Sequence, residues 1–212
     1  MYIPSSFRQE DMAALHQLMR DRPLATLVTS SPDGPNANHI PLQLVAEPGS
    51  RGVLRGHIAR ANPLAREAEE PLQALAIFCG PDSYISPSWY PEKVEHGKVV
   101  PTWNYVAVHA RGSLRIVEEP HWLREQLEGL TGQKEAGAPS PWSVADAPED
   151  FIEKLSAAIV GIELSIDTLE GKWKVSQNQR RATREGVAGG LRERAGDGDG
   201  DMAALVESAV GD

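Results

Sequence analysis

Apolar positions along the chain recur with two periods, and the change from one to the other marks out the elements. Met12, Leu15, Leu18 and Met19 fall at helical spacing over residues 11–21, and Pro23 ends that pattern before the apolar run Leu24–Ser30. Turn formers at Ser31–Asn36 separate this run from Ala37–Val45, which predicts a hairpin joined by a loop rather than a two-residue turn. Glu47–Gly52 then turns the chain into a third strand, Val53–Ile58. Leu72–Cys79 is apolar on both faces, as a central strand would be. Alternation is clear over Val106–Val117, where Val108, Ala110, Leu114 and Ile116 face one way and His109, Arg111, Ser113 and Arg115 the other. Ile159–Thr168 repeats it, with Val160, Ile162, Leu164 and Ile166 inside and Glu163, Ser165 and Asp167 outside. Helical patterns at Pro120–Leu130 and Pro148–Ala158 lie between these two strands. Four to six antiparallel strands parted by Pro and Gly turns, with helices at the side, predict a barrel or sandwich.

Size and composition narrow this to an ordinary folded protein. A chain of 212 residues with 41% hydrophobic and 24% charged residues can bury a sizeable core, so one main domain is expected over residues 1–195. Residues 196–212 open on GDGDGD and read as an acidic, glycine-rich linker with a short helix, Met202–Ala209, capped by Asp201. A calcium loop is rejected there, because Met202 stands where the turn needs glycine and Ser208 where the bidentate glutamate would be. No run approaches the roughly 20 apolar residues of a membrane span, and the first residues do not resemble a leader, which predicts a soluble cytoplasmic protein. The single cysteine, Cys79, excludes an internal disulfide and is expected as a small buried hydrophobe.

The formal charge of -9 opposes nucleic acid and anionic membranes alike. From Lys172 to Arg194, seven basic residues face two acidic ones, a local balance of +5, and this is where an anion would be met if anywhere. The alternative is a solvated helix face. Two proline-interrupted aromatic clusters, YISPSWYP from Tyr84 and PTWNYVAVHARG from Pro101, could wall a planar ligand or simply pack. Asn62 followed by Pro63 predicts a helix start, whose unpaired amides, with Arg60 beside them and His57 on the preceding strand, would suit a phosphate. Lys172 and Lys174 share one face of GKWKVSQNQRR, and Gln177 and Asn178 add amides. The six histidines are dispersed, and no nucleophile elbow or phosphate loop is present, so hydrolase and kinase readings fall away.

Five motifs in order, MYIP at Met1, GHIARANP at Gly56, YISPSWYP, VPTWNYVAVHA and GKWKVSQNQ, resemble the PaiB family over nearly the whole chain. The resemblance implies an α+β fold, a mainly antiparallel split β-barrel related to pyridoxamine 5′-phosphate oxidases, with peripheral helices. It further implies FMN bound at a homodimer interface and a role as a negative transcriptional regulator. Carried onto this sequence, it places His57, Arg60 and Asn62 at the cofactor's phosphate or ribityl chain, with Trp103 and Asn104 nearby. Lys174, Gln177 and Asn178 match the family's KLSQN segment, with Val175 in place of leucine, and would serve the same site or the partner subunit's. His39, Ile40 and Leu42 are candidates for the wall of the isoalloxazine ring. Three functions stay open on these grounds: a flavin-binding regulator acting on DNA or through a protein partner, a flavin-dependent oxidoreductase, and an interaction module that has lost the cofactor.

Overall fold

The computed structural model describes residues 1–31, 33–47, 49–67 and 72–209. In chain order the elements are β1 (Arg8–Gln9), α1 (Met12–Asp21), β2 (Leu24–Ser31), β3 (Gly34–Pro41), β4 (Gln43–Val45), β5 (Val53–Ala59), α2 (Leu64–Glu67), β6 (Leu72–Ile85) and α3 (Glu92–Glu95). They continue as β7 (Thr102–Val117), α4 (Pro120–Glu135), α5 (Glu149–Ser156), β8 (Ile159–Lys174), α6 (Arg181–Arg194) and α7 (Asp199–Ser208). Strand order is β3-β2-β6-β7-β8-β5-β4, with β1 paired to β8 off this path. This is the antiparallel α+β architecture of the split-barrel class. Eight strands are present among the described residues, more than the four to six expected, because β1 is too short to show a period and the second expected strand is really two.

That division falls at Leu42. Its amide donates to Pro23 O at 2.8 Å, while β3 before it pairs with β2 and β4 after it pairs with β5. Apolar residues run through the switch, so the pattern hides it. The first hairpin is also tighter than expected: pairing continues to Ser31↔Gly34, leaving two residues between, of which Pro32 lies outside the described residues, as does Pro48 of the next turn.

The chain forms two compact units. Unit 2 comprises residues 12–78 and 109–169. Its buried side chains include Leu15, Met19, Leu27, Leu54, Phe78, Leu114, Ile162 and Leu164, the inward residues of alternating strands and of one face of α1. Two expectations on these strands are corrected. Glu163 is buried rather than outside, because Arg55 and Arg115 meet its two carboxylate oxygens at 2.8 and 2.7 Å. Along β7 the alternation shifts after Leu114, so that Val117 is buried and Ile116 only half-buried.

Unit 1 comprises residues 1–11, 79–108 and 170–212. Ile85, Val187, Leu191, Met202 and Val206 are buried in it. Cys79 is exposed, against expectation, since on β6 the inward positions are Ala74, Ala76 and Phe78 and the cysteine takes the opposite face. The aromatic cluster at Tyr84 divides its labour. Trp89 lies so close to α6 that a Cβ on Gly186 would stand 2.2 Å from its carbonyl oxygen and one on Gly190 2.3 Å from its ring. Glycine at these two positions is what lets the helix approach. The last helix begins at Asp199 rather than Met202, and it is Asp199, buried, whose carboxylate is held by Arg194, by Ser83 Oγ at 2.8 Å and by the amide of Gly196 at 2.9 Å.

Candidate functional site

The residues singled out by sequence fall into both units. In unit 2, β5 delivers His57 and the turn after it delivers Arg60 and Asn62. The Asn62 carboxamide closes that turn by accepting from Leu64 N at 3.0 Å, and its Nδ2 donates to Asn38 Oδ1 at 2.9 Å. The second bond ties the β5–α2 turn to β3, beside His39, so the structure brings Asn62 to the strand that carries His39. That imidazole is exposed and bonds Thr26 Oγ1 through Nδ1 at 3.2 Å. The expected helix start is seen only as a short one: α2 has four residues, and 68–71 lie outside the described residues.

Arg60 is nearly half exposed and holds three acceptors. Nε donates to Ala157 O at 3.1 Å, one terminal nitrogen to Ile159 O at 3.2 Å and the other to Glu118 at 2.7 Å. Five N–H groups minus these three leave it two donors. Glu118 is itself 69% exposed, and an exposed pair of this kind is worth about 0–1 kcal/mol, so a dianion arriving at Arg60 would displace it at small cost. His57 faces differently. Its Nδ1 donates to the buried Gln126 Oε1 at 2.9 Å, and the ring borders an apolar groove of about 450 Å³ with Leu127, Trp142, Ile152 and Leu155. The Trp142 amide donates to Glu135 across the loop of residues 136–143 that follows α4.

In unit 1, Lys174 ends β8 and donates to Thr102 Oγ1 and, at 2.7 Å, to Trp103 O. Burial lowers its pKa, and the Lys172 charge adds to that against the opposing effect of Tyr105. Ser176 follows in the left-handed conformation at φ 62° and accepts from the Asn104 carboxamide at 2.9 Å. Gln177 closes the same turn, accepting from Val175 N and donating to Trp173 O. Its amide is therefore spent on its own backbone. Trp103 is half exposed, with Nε1 on Asp82 and Tyr84 edge-on at 6.0 Å. Asn104, Lys174, Ser176 and Asn178 border one cavity of about 450 Å³, together with Tyr90, Glu92 and Lys98. Glu92 was missed by sequence reading, and Tyr90 was reached only as part of the YISPSWYP aromatic cluster. Burial raises the phenol's pKa, while bonds from Thr183 and Arg180 lower the Glu92 carboxyl to about 2. Nothing local in the sequence signals that these carboxylate and hydroxyl groups share a wall with residues some 80 positions away.

The basic stretch is not an open anion surface. Lys172 donates to Tyr2 O and sits 4.9 Å over the Tyr105 ring, and Arg184 donates to Ala209 O. Arg180, Arg181, Arg192 and Arg194 pair with Glu92 and Glu95, Glu185, Glu207 and Asp199 respectively. With Lys174 engaged as above, all seven charges have partners inside unit 1.

Against this geometry stands one family. Residues 1–168 match the family described as "Putative FMN-binding domain". The chain belongs to that family, the PaiB family of FMN-binding proteins. FMN is its cofactor. Among relatives, an uncharacterized protein of Emericella nidulans is 38% identical over 97% of this chain and 96% of its own length. The protease synthase and sporulation protein PAI 2 of Bacillus subtilis is 29% identical over 99% of this chain and 98% of its own length. Solved structures share the fold. A conserved hypothetical protein of Mycobacterium tuberculosis matches at a TM-score of 0.60 with 13% identity, over 85% of this chain and 95% of its own. The FAD and heme binding protein of Mycobacterium smegmatis matches at 0.59 with 19% identity, over 79% and 73%. Among the described residues no helix is long and apolar enough to cross a membrane, and no group of three or more metal-ligating side chains is found.

Proposed function

We propose that this PaiB-family protein is an FMN-dependent regulator that works as a homodimer, with the cofactor's phosphate held at Arg60 and Asn62. The observation that carries the reading is donor supply. Arg60 keeps two N–H groups beyond its internal bonds, its counter-charge Glu118 is exposed and readily displaced, and Asn62 is fixed beside β3 by its bond to Asn38. These residues also lie inside the segment that matches the FMN-binding family, whereas Lys174, Gln177 and Asn178 lie beyond residue 168. His39, exposed on β3, is the side chain proposed to meet the ring, and His57 positions β5 through Gln126. When bound, the isoalloxazine supplies reversible redox chemistry; the chain's part is to hold the phosphate and orient the ring.

The homodimer is supported by an apolar sheet face in unit 2. Thr26, Val28, Leu75 and Ile77 are only half-buried on adjacent strands, and Leu24 is 63% exposed at the end of the same face. Regulation through a protein partner fits better than direct DNA reading, because four of the seven cations from Lys172 to Arg194 are ion-paired, the other three donate to neutral oxygens, and the net charge is -9. A fluorescence-quenching titration with FMN tests the phosphate assignment. Arg60→Ala is expected to weaken binding by about 1 to 3 kcal/mol, roughly 5- to 150-fold. Unchanged affinity would place the phosphate elsewhere.

A further inference from the structure

Helix α5 leaves its apolar side uncovered. Phe151, Ile152 and Leu155 share one face of its eight residues, yet no residue of the helix is buried, and Phe151 and Leu155 are 52% and 51% exposed. Helices this short are held in proteins by packing such a face, so a bare one lacks a neighbour. The stripe runs into the groove of about 450 Å³ that Ile152 and Leu155 line together with Leu127 of α4 and with Trp142, itself 47% exposed. The charge here is negative. Residues 118–156, which carry α4, α5 and the loop between them, hold nine acidic and three basic residues, a balance of -6 within a total of -9. Two of those three cations are engaged: Arg124 bridges Glu128 and Glu149, and Lys134 donates to Arg20 O. Asp150 and Glu153, on α5 itself, are exposed and have no ion-pair partner among the described residues.

Apolar stripe and acidic rim together select the occupant. Nucleic acid or an anionic membrane would be repelled at this rim. A second copy seated face to face would set the same acidic surface against itself, and the chain's own basic stretch over 172–194 is bonded within unit 1. We propose that the groove between α4 and α5 docks a basic amphipathic helix of a partner protein, its apolar anchors on Phe151, Leu155 and Trp142 and its lysine or arginine flanks against Asp150 and Glu153. The inference rests on the reading of regulation through a protein partner and gives that partner a surface. His57 borders the groove but takes no part in the docking, and Arg60, Asn62 and His39 do not line it.

The probe is a helical peptide of 16 residues, the length of α4, built from leucine and lysine at amphipathic spacing and titrated by calorimetry into the full chain after FMN addition. It is expected to bind, while the same composition in scrambled order and the leucine-glutamate counterpart are not. Phe151→Gln and Leu155→Gln should each weaken it about tenfold, and Glu153→Lys several-fold. All three positions are exposed, so the substitutions leave the core intact. FMN retention, read on the same samples after desalting, should be unaffected by them. Binding by a protein that retains no FMN supports the surface while removing the flavin assignment. No binding with FMN retained overturns the surface and leaves that assignment standing. Equal binding of the scrambled peptide, affinity indifferent to both Phe151→Gln and Leu155→Gln, or a lower mass by light scattering in either variant, which would put a second copy on the groove, also overturns it.

Discussion

Asp199 shows how much one side chain fixes in this protein. Arg194 holds its carboxylate, and that bond, with those from Ser83 and Gly196, outweighs burial and lowers the carboxyl from 3.8 to about 2. A folded-state value below the unfolded one means that the stabilisation is complete above the unfolded value and is lost as pH falls toward the folded one. Asp199→Asn should therefore cost about 2 to 3 kcal/mol near neutrality, less than a fully buried pair because Arg194 is 35% exposed. Urea denaturation from about pH 6 down to about pH 2 should show the gap to wild type closing; a gap constant with pH would contradict it. Sequence reading saw the aspartates here but chose Asp201 as the anchor, because capping rules count distance along the chain and not reach to Ser83 and Arg194. Glu163 was placed outside for a similar reason: strand alternation reports the face, not the two arginines that make burial tolerable. Burial alone would raise its carboxyl, yet bonds from Arg115 and Arg55 carry it below the usual range.

At the scale of elements, the approach of α6 to Trp89 gives a paired prediction. A Cβ at Gly186 would meet backbone, so Gly186→Ala should destabilise by about 1 to 3 kcal/mol. A Cβ at Gly189, three residues on, would meet nothing within 4 Å among the described residues outside its own helix turn, and Gly189→Ala should be neutral or stabilising by up to about 1 kcal/mol through helix propensity alone. Thermal melts of the two variants check this; similar melting points would mean that the helix is not held by that contact. The long strands were legible because alternation survives over many residues: the cores of β7 and β8 were placed correctly, though β7 begins at Thr102 and β8 runs on to Lys174. The added residues, 102–105 and 169–174, carry no apolar alternation, although Lys172 and Lys174 share a face. The break between β3 and β4 was invisible for the converse reason, apolar residues continuing while the pairing partner changes.

For the molecule as a whole, family and fold were readable from five ordered motifs, but the distribution of charge was not. Seven cations over residues 172–194 look like an anion surface in sequence; folded, four are ion-paired and the other three donate to neutral oxygens within unit 1. A mobility-shift titration at low salt is accordingly expected to show no DNA binding through this stretch, and retention of DNA that Arg180→Ala and Arg192→Ala abolish would contradict that. On the half-buried sheet face of unit 2, Val28→Asp should shift the proposed homodimer to monomer by light scattering, since a buried unpaired charge costs more than such a face gains. An unchanged mass would place the dimer contact elsewhere or remove it. The central claim is that this chain holds FMN, and the most direct measurement is an absorbance spectrum of the purified protein after FMN addition and desalting. Flavin bands that persist with wild type and fade with Arg60→Ala are predicted; a colourless wild-type protein would contradict the account.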